Sequence, residues 1–117
     1  MSQEPEPTNI SINFSDIFLR QIKRLEKKYP HITDDIQATI SSLRSGELVG
    51  DRLVGADAEV YKVRIKNTDI RKGKSSGYRL VYYVIISSKI VLMTIYSKSE
   101  QEDIDVSEIQ KIIAQIE

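Results

Sequence analysis

The chain has 117 residues, carries 17 basic and 17 acidic side chains for a formal net charge of zero, and contains no cysteine. That length suits one compact core and excludes two. Neutrality excludes a protein that binds polyanions through its overall charge, and the lack of cysteine excludes disulfide scaffolds, thiolate metal sites and thiol nucleophiles.

The leader Met1 to Thr8 holds two prolines and two glutamates and nothing large to bury, so it is expected to be disordered, with a single domain over 9–117. It lacks the basic start and apolar run of a signal peptide, and no stretch elsewhere is apolar enough to span a bilayer. Cytoplasm, without membrane association, is the expected location.

From Asn9 to Phe14, Ile10, Ile12 and Phe14 alternate with polar residues, the period of a short half-buried strand. Ser15 reads as a helix N-cap with Asp16 in the first turn, and Ile17, Phe18, Ile22, Leu25 and Tyr29 recur at helical spacing until Pro30. A second helix is predicted from about Thr33, with Asp34 and Asp35 in its first turn and an apolar stripe of Ile36, Ile40 and Leu43; Ser45 and Gly46 end it. So short a connection predicts an αα-hairpin that lays its apolar sides on a sheet.

Gly46, Gly50 and Gly55 mark a surface loop before a strand at Glu59 to Lys66. A basic loop, Asn67 to Ser76, leads into GYRLVYYVIIS, so continuously apolar that it must be central. Ser87 and Ser88 form a two-residue hairpin candidate before SSKIVLMTIYS. Val106 to Ile116 returns to helical period through Ile109, Ile112, Ile113 and Ile116. The predicted order is β-α-α-β-β-β-α.

Charge is segregated along the chain. Between Tyr61 and Arg79 the basic residues are Lys62, Arg64, Lys66, Arg71, Lys72, Lys74 and Arg79, against the single acid Asp69. From Ser99 onward Glu100, Glu102, Asp103, Asp105, Glu108 and Glu117 face only Lys111, an acidic tail that could fold near the basic site or compete for it. In the strand, Lys62, Arg64 and Lys66 alternate with Tyr61, Val63 and Ile65, so the apolar set packs on a core while the cations share the other face. A polyanion laid across that face would offset their repulsion. Strands facing water also carry Lys and Arg for solubility alone.

The strings EVYKVRIK (Glu59 to Lys66), GYRLVYYVI (Gly77 to Ile85) and IYSKSEQEDI (Ile95 to Ile104) resemble the RelE/ParE superfamily of bacterial toxins. The resemblance runs from about Ile10 to the end, and is closest to the RelE and HigB branches of ribosome-dependent mRNA interferases. It implies an α+β fold, with a small antiparallel sheet, the αα-hairpin on one face, a C-terminal helix, and an RNA-facing surface opposite the hairpin. It implies a type II toxin-antitoxin endoribonuclease that cuts mRNA in the ribosomal A site with no metal or organic cofactor. The implied partners are a cognate antitoxin, mRNA and ribosomal RNA. The alternatives are a ParE-like DNA gyrase inhibitor, which binds without cleaving, and an inactive member.

Metal-free RNA cleavage needs a base for the 2′-hydroxyl, positive charge on the forming phosphorane, and an acid for the leaving 5′-oxygen. The sole histidine, His31, reads as a solvent-exposed residue near a helix start. The resemblance puts Lys62 and Arg64 at functional cationic positions, Lys62 for proton transfer or phosphate positioning and Arg64 for phosphate. It puts Arg79, in the G-Y-R position, at the transition-state phosphate clamp. The competing reading of Arg79 is an internal salt bridge, with Glu59 among the acids at hand.

The resemblance also puts Lys98 in the catalytic set, in a Y-x-K ending similar to the HigB branch where the RelE branch has an arginine; the competing reading of Lys98 is a strand-end charge. At the position of a later RelE tyrosine credited with proton transfer stands Asp105 or a neighbour, which leaves the general base open. Tyr96 is core or a stacking platform for a splayed base, and Lys66, Arg71, Lys72 and Lys74 are expected on RNA backbone. Tyr78, Tyr82 and Tyr83 are expected to pack. Lys62, Arg64 and Arg79 should converge on one water-exposed patch.

Overall fold

The computed structural model describes residues 10–70, 77–101 and 103–116. The leader Met1 to Thr8 and the loop cations Arg71, Lys72 and Lys74 lie outside the described residues. The elements are β1 (Ser11–Phe14), α1 (Asp16–Lys28), α2 (Ile32–Arg44), β2 (Asp51–Arg52), β3 (Val60–Ile65), β4 (Tyr78–Ile86), β5 (Lys89–Ser97) and α3 (Val106–Ile116). They form an α+β fold around one five-stranded sheet of order β1-β5-β4-β3-β2. Among the described residues, no helix is long and apolar enough to cross a membrane.

Local chemistry sets the element ends. The Ser15 side chain accepts the Phe18 N–H at 3.0 Å, capping α1, and its hydroxyl donates to the Met93 carbonyl at 2.6 Å, which ties the helix start to β5. The Tyr29 N–H closes α1 on the Leu25 carbonyl just before Pro30. Ser87 and Ser88 turn β4 into β5, with Ile86 and Lys89 paired across the turn.

Two expectations about the sheet need correction. The sheet is mixed, because β1 runs parallel to β5 from Ser11↔Lys89 to Phe14↔Leu92 while the other neighbours are antiparallel. The helical hairpin carries the chain from the β1 edge to the opposite edge, and the meander β2 to β5 then returns to β1 in the same direction. The element order also gains β2, whose Asp51 and Arg52 pair with Lys62 and Tyr61. Gly50 leads into it with φ +95°, and a Cβ there would lie 2.5 Å from the Lys62 carbonyl oxygen, so the close approach requires glycine.

β4 is central, with every residue from Tyr78 to Val84 buried. Side-chain alternation divides its contacts between two cores. Tyr78, Leu80, Tyr82 and Val84 join Phe18, Leu25, Ile32, Ile36, Ile40 and Leu43 of the hairpin, with Tyr61 and Val63 packed against them. On the reverse face Val60, Val81, Tyr83, Met93 and Tyr96 pack with Ile109 and Ile112 of α3. The face opposite the hairpin is therefore shared between α3 and the cations, not left wholly open. The three tyrosines of β4 pack as expected, and the Tyr82 hydroxyl donates to the Val49 carbonyl.

Candidate nucleic-acid interface

The β3–β4–β5 register assembles the site. Arg64 stands opposite Arg79, and Arg79 opposite Tyr96, so the three form one row across the sheet; Lys62, Val81 and Thr94 form the next row. Paired residues share a face, and Val60 of that face packs under α3. Lys62, Arg64 and Arg79 thus lie together on the side away from the hairpin.

Gly77 sets the head of this row. A Cβ there would come within 2.2 Å of the Ile65 carbonyl oxygen, so only glycine lets β4 start so close to the end of β3. The Gly77 carbonyl accepts the Lys98 N–H at 2.9 Å, which holds the end of β5 beside it. Lys98 is half-buried just past β5 and Lys66 is exposed just past β3.

The three cations differ in environment. Arg64 is exposed. Arg79 retains 9% of its accessible surface, and its Nη1 donates to the Tyr78 carbonyl at 3.3 Å. Glu59 accepts instead from the Tyr61 hydroxyl at 3.1 Å, and among the described residues no carboxylate pairs with Arg64 or Arg79. The internal salt bridge that would explain Arg79 structurally is absent among those residues. Lys62, in contrast, donates to Asp103 Oδ1 at 2.7 Å.

The expected patch is therefore corrected in two respects: Arg79 is nine-tenths buried, and the Lys62 ammonium is engaged by the acidic tail. Among the described residues the buried guanidinium has a backbone carbonyl and no carboxylate for a partner, less compensation than such groups ordinarily have.

Asp103 is a site residue that the sequence marks only as one acid of a tail that could fold near the cations or compete for them. Its Oδ1 also accepts the Tyr96 hydroxyl at 3.1 Å and its neighbour Ile104 N–H at 2.9 Å. The Lys62 hydrogen bond, followed by that of the Ile104 N–H, holds the Asp103 carboxyl down at about 2. Burial pushes the Tyr96 phenol up, the Asp103 charge pushes it further, and the Arg79 guanidinium partly opposes both. Tyr96 is 4% exposed, so its hydroxyl reaches the site while its ring packs in the second core.

His31 is exposed, but its ring Nδ1 meets Asp69 Oδ1 at 2.8 Å and its backbone N–H donates to Asp69 Oδ2 at 2.9 Å. His31 precedes α2, which packs on the hairpin face of the sheet, opposite the face that carries the cation row. A groove of about 350 Å³ lined by Phe14, Ile17, Ile85, Val91, Ile112 and Ile116 sits toward the Ser87–Ser88 end of the sheet, away from Arg79. Among the described residues no group of three or more His, Asp or Glu is arranged to hold a metal ion.

No protein-family model matches the chain. No curated protein matches it with significance.

Proposed function

We propose that this protein is a RelE-like toxin, an endoribonuclease that cuts mRNA in the ribosomal A site. The observation that carries the reading is the Arg64–Arg79 pair, two arginines directly opposed in the β3–β4 ladder, neither of them paired with a carboxylate among the described residues. Like charges in directly opposed positions repel, and an RNA phosphate seated against them removes the repulsion.

In this reading Arg79, whose low exposure strengthens its field, clamps the phosphorane as charge builds on it. Arg64 and Lys66 hold the flanking backbone, and Lys62 and Lys98 stand beside Arg79 to position phosphate or move protons. The chemistry uses no metal or organic cofactor, the setting is the cytoplasm, and a cognate antitoxin holds the activity in check. These features follow from the resemblance in the three strand strings.

Primer extension on messages from a cell-free translation reaction tests the proposal. Wild type is expected to give codon-phased cuts that Arg79→Ala and Lys62→Ala lose. Intact messages together with relaxed plasmid in a gyrase supercoiling assay would instead assign a ParE-like activity.

A further inference from the structure

Asp103 lies in the segment between β5 and α3, and its carboxylate binds Lys62, one row along from Arg64 and Arg79, and the Tyr96 hydroxyl at the end of their row. Lys62 belongs to β3 and Tyr96 to β5, the two neighbours of β4, so an oxygen bonded to both bridges across β4 between the Val81 and Arg79 rows. That oxygen collects an ammonium, a phenol and a backbone N–H, at 2.7, 3.1 and 2.9 Å. The same kinds of donor bind a non-bridging phosphate oxygen.

Among the described residues, backbone bonds from the Glu100 and Gln101 N–H groups to the buried Ser97 carbonyl, at 3.0 and 3.1 Å, fix the start of this segment, while its ion pairs are exposed and exchange readily. The Asp103 side chain is 63% exposed. The preceding anchor, Glu100, pairs with Arg24 at 3.3 Å and Lys28 at 3.5 Å, both on exposed side chains of α1. Ser99, Gln101 and Asp105 are exposed, and Ile104 alone of these residues packs against a core. Ion pairs of this kind are weak and screened by salt, so a multivalent anion can displace them.

We propose that Asp103 is a built-in competitor for nucleic-acid phosphate, a self-inhibiting strap whose carboxylate leaves Lys62 when RNA binds. The proposal rests on the reading of the Arg64–Arg79 row as a phosphate site. A carboxylate that merely braced the fold would leave anion binding unchanged when neutralised. A competing one weakens binding for as long as it keeps its charge.

The test is fluorescence anisotropy of a 2′-O-methyl RNA oligonucleotide with the full chain at about 50 mM salt. Asp103→Asn is expected to tighten binding about threefold to tenfold, while Asp57→Asn, which removes the same charge from the exposed loop before β3 at a positive φ that asparagine tolerates, changes it less than about twofold. The gain should vanish in a Lys62→Ala background. Equal effects of the two aspartate variants, or weaker binding by Asp103→Asn, would overturn the strap.

A titration of wild type with inorganic pyrophosphate, followed by amide NMR, separates this inference from the reading beneath it. Displacement predicts that the Asp103 and Ile104 amides move toward their positions in Asp103→Asn. Shifts near Arg79 with those amides unmoved would overturn the strap and leave the phosphate site standing. RNA binding indifferent to Arg79→Ala would overturn the phosphate site, and no binding of RNA or pyrophosphate by any variant would overturn both.

Discussion

Arg64 and Arg79 stand directly opposite each other in the β3–β4 ladder, and among the described residues neither has a carboxylate partner. Directly opposed like charges destabilise a sheet by about 0.2–1 kcal/mol. Arg64→Gln is therefore expected to raise the free energy of unfolding by that amount in low-salt urea titrations while weakening RNA binding. The stability gain should shrink as salt screens the pair. Lower stability in the variant would show that Arg64 serves the fold.

Gly77 is predicted to be intolerant of any side chain. Its missing Cβ leaves the space filled by the Ile65 carbonyl oxygen, 2.2 Å from where that atom would sit. Gly77→Ala should cost about 1–3 kcal/mol, as overpacking does, and should spoil the alignment of Arg79 with Arg64. Urea denaturation measures the first effect and RNA anisotropy the second; an alanine variant as stable as wild type would contradict the close approach.

Ser15 joins two elements through one hydroxyl. It caps α1 at the Phe18 N–H and donates to the Met93 carbonyl of β5. Ser15→Ala should lower stability by about 1–2 kcal/mol. Ser15→Asp retains a cap but not the donor, so it should recover only part of the loss in thermal melts.

His31 offers a pH measurement with one resonance to follow, since it is the only histidine. The hydrogen bond and charge of Asp69 raise the imidazole above its ordinary value, and the same contact lowers the Asp69 carboxyl. The histidine contribution to stability is complete below the unfolded value of about 6.5 and is lost as pH rises through the higher folded value. The carboxyl contribution is present above its unfolded value of about 3.9 and is lost as pH falls through the lower folded one. Proton NMR of the His31 ring should show the raised titration, and Asp69→Asn should return it to the ordinary imidazole range; an unmoved titration would contradict the pairing.

Much of the fold was legible because its signals are local. Ser15, Pro30, the Ser87–Ser88 turn and the alternation of Tyr61, Val63 and Ile65 each act within a few residues, and each agrees with the element ends or faces observed. The parallel pairing of β1 with β5 was not legible, because a strand of four residues carries no mark of its neighbour. Nor was β2, whose two exposed residues show no period. The start of α2 depends on Asp69, 38 residues beyond His31.

The candidate site divides in the same way. Placement of Lys62 and Arg64 on one face follows from strand period, and their row with Arg79 follows once β3 and β4 pair. The bond from Lys62 to Asp103 spans 41 residues and depends on how the β5–α3 connection folds back. Charge segregation was its one sequence signal, and it indicated the segment without indicating the residue.

Single-turnover cleavage of message on programmed ribosomes, comparing wild type with Arg79→Met, tests the central claim most directly. Methionine keeps much of the aliphatic stem and removes the charge. Loss of a preorganised group facing the developing phosphorane charge predicts a rate lower by about 10²–10³-fold in a variant that still folds. Cleavage by Arg79→Met at the wild-type rate would contradict it.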